Sequence, residues 1–224
     1  MDAFTQFDGN LLIGIQKALY CEWLTPVMKV ISYLAEDGIL LIVVCLLMML
    51  FRKTRRLGII CAFSLLCTFI CCNLIIKPIV ERPRPWTLFE AVNSMMPPLK
   101  DGSFPSGHTT NSMGVAWAMF INTLPVRKVI RNDETGTART VRDYDKVPCL
   151  GWGGNGVDPQ LMHRISIAAV VLAVLIGISR LYLGMHFPSD VICGLLLGVA
   201  CAAIVQQIVK KVEQKHGIIG GKKV

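Results

Sequence analysis

Two clusters of chemically active residues stand beside long apolar segments of the chain. The first cluster contains Lys77, Arg84, Ser106, Gly107 and His108, and the second contains Arg180, His186 and Asp190. Charged side chains cost about 2.5 to 3.5 kcal/mol each at the centre of a bilayer, so such clusters are usually functional. A plain alternative for the first cluster is that Lys77, Arg82 and Arg84 anchor the chain among lipid headgroups. The second cluster argues against that alternative, because it also lies at the mouth of apolar segments.

Phosphoryl transfer is the chemistry that these residue types suit. The transferred group carries negative charge on its oxygens, and a protein mainly positions it and neutralises that charge. Lys77, Arg84 and Arg180 supply positive charge, and an arginine can hold two phosphate oxygens at once. Ser106 and Gly107 precede an apolar helix, where free backbone N–H groups can point at an anion. The sequence therefore predicts a phosphate cradle.

The two histidines can divide the work of a metal-free phosphatase, one as the nucleophile and one as the acid. Asp190 follows His186 by four residues, so its carboxylate can fix the imidazole tautomer and stabilise the charge that the ring gains. We therefore predict that His186 attacks phosphorus. His108 then protonates the leaving oxygen and later activates the water that hydrolyses the phosphohistidine. No metal or other cofactor is expected to take part.

The composition excludes an ordinary soluble domain. The chain has 224 residues, of which 53% are hydrophobic, and a mean hydropathy of +0.54. These values predict one integral membrane domain over residues 1–224. Seven of the nine cysteines lie in apolar runs, where they are best interpreted as small hydrophobic residues. We expect no disulfide framework and no zinc site.

The apolar runs predict an all-α fold, a polytopic membrane bundle with about five transmembrane helices. The first span ends at Phe51 and begins near Val30, and the others cover residues 57–76, 109–124, 165–178 and 191–209. Residues 1–35 predict two short helices that lie in the membrane interface, the second after Pro26. Residues 125–164 carry charges of both signs and predict a polar loop without a catalytic role.

The distribution of positive charge predicts the orientation of the chain. Of its 23 lysines and arginines, 16 lie in residues 52–56, in the 125–164 loop or in the tail from Lys210. Cytoplasmic loops are enriched in these residues, so this side is expected to face the cytoplasm. Both clusters then face the extracytoplasmic side. The net charge of +8 is explained by orientation in the membrane rather than by a nucleic-acid partner.

The clusters resemble the signatures of a known family, the type 2 phosphatidic acid phosphatases, which also include the vanadium haloperoxidases. That family carries a lysine, six residues and Arg-Pro, then Pro-Ser-Gly-His, then Ser-Arg, five residues, His, three residues and Asp. This chain matches with Lys77 and Arg84-Pro85, with Pro105 to His108, and with Ser179-Arg180, His186 and Asp190. All of the signature positions are filled.

The resemblance implies a helical bundle with its site at the membrane surface and a phosphatase that needs no metal. It implies that His186 is the nucleophile, His108 the acid and Asp190 the residue that orients His186. It also implies phosphate binding by Lys77, Arg84, Ser106, Gly107 and Arg180. The family often has six spans and lacks the 125–164 insertion, and these differences concern the N-terminal part of the bundle and the substrate.

The expected substrate is a membrane lipid phosphate or diphosphate, of the undecaprenyl diphosphate or phosphatidic acid type, in a bacterial plasma membrane. Two alternatives remain at this point. A vanadate-dependent haloperoxidase would use the same oxyanion cradle, but those relatives are larger and soluble. A scaffold that binds lipid headgroups without catalysis would not need paired histidines. The sequence carries no signal for an oligomeric state.

Overall fold

The computed structural model describes residues 2–131, 138–143 and 158–215. Its α-helices are α1 (Ala3–Leu19), α2 (Leu24–Tyr33), α3 (Ile39–Leu50), α4 (Arg55–Phe69), α5 (Lys77–Val80), α6 (Pro85–Leu88), α7 (Gly107–Thr123), α8 (Pro159–Tyr182) and α9 (Pro188–Lys215). A 3-10 turn at Glu36–Gly38 precedes α3, and a π-helical stretch at Ile70–Ile76 joins α4 to α5. Two strands, β1 (Val126–Arg131) and β2 (Ala138–Asp143), form an antiparallel hairpin.

Helix α7 lies at the centre of a bundle that α4, α8 and α9 complete. One core cluster joins α4, α7 and α9 through side chains that include Leu57, Val115 and Ala202. Another joins α7 to α8 through Ala116 and Ala173. Burial of these apolar side chains holds the four helices around a common axis. The predicted all-α helical bundle is confirmed, and the hairpin is an addition to it within the polar segment.

Small residues allow α7 and α9 to approach closely. A methyl group on Gly198 of α9 would lie 2.7 Å from the carbonyl oxygen of Thr110 and 2.9 Å from the backbone nitrogen of Gly114 on α7. Both distances are too short for a carbon atom, so a side chain at position 198 would force the helices apart. Helix interfaces in membranes commonly use small residues in this way.

Three segments are long and apolar enough to cross a membrane, namely Arg55–Leu88, Pro159–Tyr182 and Pro188–Lys215. They coincide with three of the five predicted spans and leave large apolar side chains such as Leu74 and Ile192 exposed. The other two predicted spans correspond to shorter helices. Helix α3 has 12 residues, so it is about 18 Å long against a hydrocarbon core of about 30 Å. Helix α7 has 17 residues and is mostly buried among its neighbours.

Several predicted boundaries are wrong, each for a local reason. The first span does not begin near residue 30, because Gly38 has a left-handed backbone (φ 69°) that separates α2 from α3. Helix α2 starts at Leu24 and includes Pro26 in its first turn, where proline removes no helical hydrogen bond. Helix α8 begins at Pro159, capped by the Asp158 side chain, and so takes over the end of the predicted loop.

The N-terminal helix packs against the bundle as well as carrying an exposed apolar face. Leu12 of α1 contacts a cluster that contains Phe89 and Phe187. Gln16 donates hydrogen bonds to the carbonyl oxygens of Asn93 (2.9 Å) and Tyr182 (3.0 Å). The interfacial location of residues 1–35 stays a prediction, and the contacts show that α1 is tied to the end of α8 and to the start of α9.

The starts of α4 and α8 and the ends of α7 and α9 meet at one end of the bundle, here called the distal end. Asn122 of α7 donates to Gln206 of α9 at 2.8 Å. Arg56 of α4 donates two hydrogen bonds, of 2.6 and 2.7 Å, to the carboxylate of Glu213 on α9. The chain directions therefore bring the start of α7, the end of α8 and the start of α9 together at the opposite end.

Candidate active site

At that opposite end, the site end, a cavity of about 300 Å³ opens between the helices. Five of the predicted site residues line it, and they come from α5, from the residue before α6, from the first turn of α7 and from the loop between α8 and α9. They are Lys77, Arg84, Gly107, His108 and His186. Residues of the two sequence clusters thus line one cavity.

His186 is fully buried and is held by its backbone surroundings. Its Nδ1 lies 2.8 Å from the carbonyl oxygen of Ser103, which can only accept, so Nδ1 carries the proton. Its Nε2 therefore has a lone pair, which accepts a hydrogen bond from Arg84 Nη1 at 3.0 Å. Burial lowers the pKa of His186 to about 3, against the opposing effect of Asp190 and with help from the charges of Arg84 and Arg180. The imidazole is neutral, and its Nε2 carries the lone pair.

Asp190 orients this histidine less directly than the four-residue spacing suggests. Its Oδ2 lies 3.6 Å from His186 Nδ1, which suits an ion pair but exceeds a hydrogen-bond length. The same oxygen accepts hydrogen bonds from the backbone of Phe187 (2.9 Å) and from the hydroxyl of Ser103. Ser103 therefore sets the tautomer, and Asp190 holds Ser103 and the turn that carries His186.

Arg82, whose side chain is 11% exposed, serves the site as a structural cation and not as a lipid anchor. It donates to Asp190 Oδ1 at 2.6 Å, to Ser189 Oγ at 2.7 Å and to Asp8 Oδ2 at 2.8 Å. Its guanidinium also stacks on the Phe187 ring at 4.1 Å. This network connects α1, the loop before α6 and the start of α9, so it fixes the position of Asp190.

The other two cations of the first cluster share one carboxylate. Arg84 donates to Asp101 Oδ1 at 2.6 Å and to the carbonyl oxygen of Met185 at 3.0 Å. Lys77 pairs with the second oxygen of Asp101. Partial burial opposes ionisation of Asp101, but the hydrogen bond and charge of Lys77, together with Arg84, lower its pKa to about 2. Both cations are thereby held at the cavity wall.

Arg180 and His108 have unused hydrogen-bonding atoms. Arg180 is 1% exposed and donates to Ser32 Oγ at 2.6 Å, but its Nε has no partner within the described part of the chain. His108 Nε2 lies 3.9 Å from a carboxylate oxygen of Glu36 and likewise lacks a hydrogen bond among the described residues. Burial and the charge of Arg180, with smaller contributions from other cations, lower the pKa of His108 to about 2. An entering anion would raise the pKa of both histidines.

The start of α7 differs from the predicted cradle in one respect. The N–H of Ser106 donates to the carbonyl oxygen of Asp190 at 3.1 Å, and its hydroxyl contacts Thr109 Oγ1, so Ser106 is buried and does not line the cavity. Its predicted N–H contact with phosphate is wrong for this arrangement. Gly107 does line the cavity, and a methyl group there would lie 3.6 Å from Lys77 Nζ. The absent side chain leaves room for an anion between the helix and Lys77.

Three of the cysteines gather in the apolar part of the bundle. The Sγ atoms of Cys67, Cys71 and Cys201 lie within 4.8 Å of one another. Cys67 and Cys71 line an apolar groove of about 580 Å³ between α4 and α9. Thiolates are costly in such surroundings, so the interpretation as small hydrophobic residues is kept. The eight cysteines in the described residues are free thiols.

The sequence interpretation did not single out three polar residues that shape the site: Glu36, Asp101 and Ser103. Asp101 and Ser103 precede the Pro-Ser-Gly-His motif by only a few residues, and this proximity was a usable signal. Glu36 lies in the segment between α2 and α3, and no feature of the local sequence connects it to His108.

The bundle holds two histidines and several cations around one cavity. This arrangement is typical of membrane proteins that handle phosphate groups. Residues 56–214 match the PAP2 superfamily, and the chain belongs to this superfamily. This result confirms the family that the three signatures predict.

Two curated relatives are similar over most of the chain. The chain is 26% identical over 173 residues to an undecaprenyl-diphosphatase of Sulfolobus acidocaldarius. The aligned region covers 75% of this chain and 65% of that protein. It is 28% identical over 200 residues to phosphatidylglycerophosphatase B of Bacillus subtilis. Here the aligned region covers 86% of this chain and 78% of that protein. The chain therefore spans just under two thirds of the length of the first relative.

Two crystal structures share the fold. The transmembrane PAP2 type phosphatidylglycerolphosphate phosphatase from Bacillus subtilis superposes with a TM-score of 0.66 at 25% identity, over 95% of this chain and 89% of that one. Aquifex aeolicus LpxE superposes with a TM-score of 0.61 at 24% identity, over 88% of this chain and 93% of that one. With the apolar helices, these neighbours establish an integral membrane protein.

Proposed function

We propose that this protein is a metal-independent membrane phosphatase that removes a terminal phosphate from a lipid phosphate or diphosphate through a phosphohistidine intermediate. The observation that carries the proposal is the single cavity shared by Lys77, Arg84, Gly107, His108 and His186. A binding site alone would need the cations. It would not need one histidine with a lone pair at the cavity and a second histidine across from it.

The first step follows from the positions of these groups. The substrate phosphate replaces Asp101 on Lys77 and Arg84, which releases the lone pair of His186 Nε2 from Arg84. Nε2 then forms a bond to phosphorus while the bond from phosphorus to the leaving oxygen breaks. Negative charge at phosphorus raises the proton affinity of His108, which takes up a proton from solvent when the substrate binds and then donates it to that oxygen.

The second step returns the site to its starting state. Water attacks phosphorus while the bond from phosphorus to His186 Nε2 breaks, and His108 accepts a proton from the water. Inorganic phosphate then leaves, and His108 returns the proton to solvent. The positive charge that His186 carries during the covalent stage lies 3.6 Å from Asp190 Oδ2, a distance at which a carboxylate stabilises it. Arg180 Nε, which has no partner within the described residues, is available to the phosphate oxygens.

The substrate class is supported by location and by the names of the relatives. The site lies at the end of a bundle whose helices present apolar side chains to lipid, so a substrate anchored in the bilayer can reach it. The similar proteins act, by their names, on undecaprenyl diphosphate and phosphatidylglycerophosphate. Both compounds, and phosphatidic acid, carry a terminal phosphate.

Phosphate release by purified protein in detergent tests the proposal. The panel contains undecaprenyl diphosphate, phosphatidylglycerophosphate and phosphatidic acid, each with EDTA present and each beside a His186→Ala control. We expect release from at least one lipid that depends on His186 and persists in EDTA. Inhibition by EDTA that a divalent ion reverses would reject the metal-free mechanism. No release from any lipid or from a soluble phosphate ester would reject the enzyme.

The active site is proposed to face the extracytoplasmic side of a bacterial plasma membrane, because most of the lysines and arginines fall on the other side. Single cysteines in a background without native cysteines test this orientation in intact cells. Lys100→Cys near the site should react with an impermeant thiol reagent, and Arg164→Cys at the start of α8 should not. The opposite pattern would place the site in the cytoplasm.

A further inference from the structure

Asp101 is the negative partner of two cations at the site. Besides its carboxylate contacts with Arg84 and Lys77, its carbonyl oxygen accepts from Arg84 Nε at 3.1 Å. The Asp101 side chain is 48% exposed, whereas those of Arg84 and Lys77 are 4% and 11% exposed. Rotation of this side chain can therefore move the carboxylate into water while the backbone contact keeps the loop in place.

The same carboxylate lies where two cavities meet. The cavity that contains His108 and His186 shares Lys77, Arg84 and Asp101 with a neighbouring cavity of about 600 Å³. An anion that approaches the histidines from the larger cavity therefore passes these two cations. Their donor groups are directed at Asp101, so an incoming anion competes with it.

The charges around the reaction cavity favour an anion that carries more than one negative charge. Among the residues that line this cavity, Lys77 and Arg84 are positive and Glu36 and Asp101 are negative, so the lining is balanced. The buried Arg180, which acts on His108 from behind the lining, adds one positive charge in excess. A singly charged anion that replaces Asp101 only restores the existing balance. A terminal phosphate carries about −1.5 to −2 charges at pH 7, so it also neutralises the excess.

The geometry points to Asp101 as a specificity-determining residue, an inference that rests on the proposed function. Its carboxylate is an internal competitor for Lys77 and Arg84 that a terminal phosphate displaces and a singly charged phosphodiester does not. The headgroups of bulk phospholipids are phosphodiesters. A phosphatase embedded among them must leave them unbound while it takes up a rarer lipid that ends in a phosphate.

Two small anions test this charge selection on the wild-type protein: inorganic phosphate and dimethyl phosphate, a singly charged diester. Each is titrated in detergent, and binding is measured by inhibition of phosphate release and by the rise in Tm. We expect inorganic phosphate to bind at least about tenfold more tightly. Equal affinities would overturn the inference.

Asp101→Asn removes the internal charge and preserves the size of the side chain. We expect dimethyl phosphate to bind this variant about 10- to 100-fold more tightly than it binds the wild type. The affinities for inorganic phosphate and dimethyl phosphate should therefore differ less in the variant than in the wild type. Glu81→Gln is the matched control, because Glu81 lines the same larger cavity and has no ion pair within the described residues. The control should bind both anions as the wild type does.

Weaker binding of both anions to Asp101→Asn would mean that Asp101 only orients the two cations, and would overturn the inference. If the variant does not fold, the comparison of the two anions on the wild type decides. The rise in Tm reports anion binding without turnover. The proposed function and the role of Asp101 can therefore be rejected independently. Absence of His186-dependent phosphate release rejects the function, and equal binding of the two anions rejects the role of Asp101.

Discussion

Buried ions lie at both ends of the bundle, but they are arranged differently. At the distal end Arg56 and Glu213 form a one-to-one pair with two hydrogen bonds, and each side chain is 5% exposed. At the site end Lys77 and Arg84 share one carboxylate that is half exposed. The distal pair is balanced in charge and joins α4 to α9, although both side chains line the apolar groove between these helices and Arg56 Nη1 has no hydrogen-bond partner among the described residues. At the site end two cations beside a polar cavity share a carboxylate that water reaches, so an incoming anion can take its place.

Replacement of the histidines should give the largest difference in turnover between the two ends. We expect His186→Ala to abolish turnover and His108→Ala to reduce it about 100- to 10,000-fold, as for loss of a general acid. His163 at the distal end is the matched control, and His163→Ala should retain turnover per folded molecule. Initial rates on a lipid phosphate provide the measurement.

A substrate with a good leaving group separates the roles of the two site histidines. p-Nitrophenol leaves without a proton, so p-nitrophenyl phosphate should restore part of the activity of His108→Ala and none of the activity of His186→Ala. Equal recovery of the two variants would contradict the assignment of nucleophile and acid.

The distal pair should affect stability instead of turnover. Glu213→Gln leaves the Arg56 guanidinium buried without its charged partner, and such losses cost about 3 to 5 kcal/mol of unfolding free energy. Thermal unfolding in detergent should show a lower Tm, with kcat/KM per folded molecule unchanged. A loss of kcat/KM at an unchanged Tm would show that the two ends are coupled.

Arginine-to-lysine substitutions test geometry at constant charge. Arg84→Lys cannot contact Met185, Asp101 and His186 at once, because lysine lacks the planar fork. We expect kcat/KM to fall about 10- to 100-fold with little change in Tm. Arg56→Lys should show the reverse pattern, a lower Tm with unchanged kcat/KM. Matching effects from both variants would contradict the division between the two ends.

The smallest effect is expected when the whole distal pair is replaced. Apolar residues in place of a buried ion pair are often neutral or stabilising, so Arg56→Met with Glu213→Leu should leave Tm unchanged or higher and preserve turnover. The same exchange at the site, Arg84→Met with Asp101→Leu, should eliminate turnover. Survival of turnover in the second double variant would refute phosphate binding by Arg84.

Much of the fold could be predicted because the apolar runs are long. Hydropathy correctly predicts the segments that form α4, α8 and α9. Within lipid a helix is favoured because it pairs the backbone hydrogen-bonding groups internally. The prediction fails where one residue changes the backbone direction, as Gly38 does between α2 and α3. The predicted span 109–124 agrees with α7 within two residues at each end, but the burial of α7 depends on its neighbours and not on its own hydropathy.

The members of the site could be predicted, but several of their contacts could not. Residue type and spacing identify His186 and Asp190 as partners, yet Ser103 makes the hydrogen bond that sets the imidazole tautomer. Spacing describes one turn of helix and contains no information about a carbonyl oxygen from another loop. The contact between Arg82 and Asp8 of α1 could not be predicted for the same reason, because the two residues are 74 positions apart in the chain.

The sequence by itself determined the family and the membrane setting of this protein. Charged groups and paired histidines beside apolar helices have few other uses, and the length of each apolar run limits where it can lie. Only the tertiary structure decided which groups are in contact, and above all that Asp101 holds Lys77 and Arg84. Contacts between segments that are distant in the chain depend on how helices pack, and packing is a property of the whole bundle.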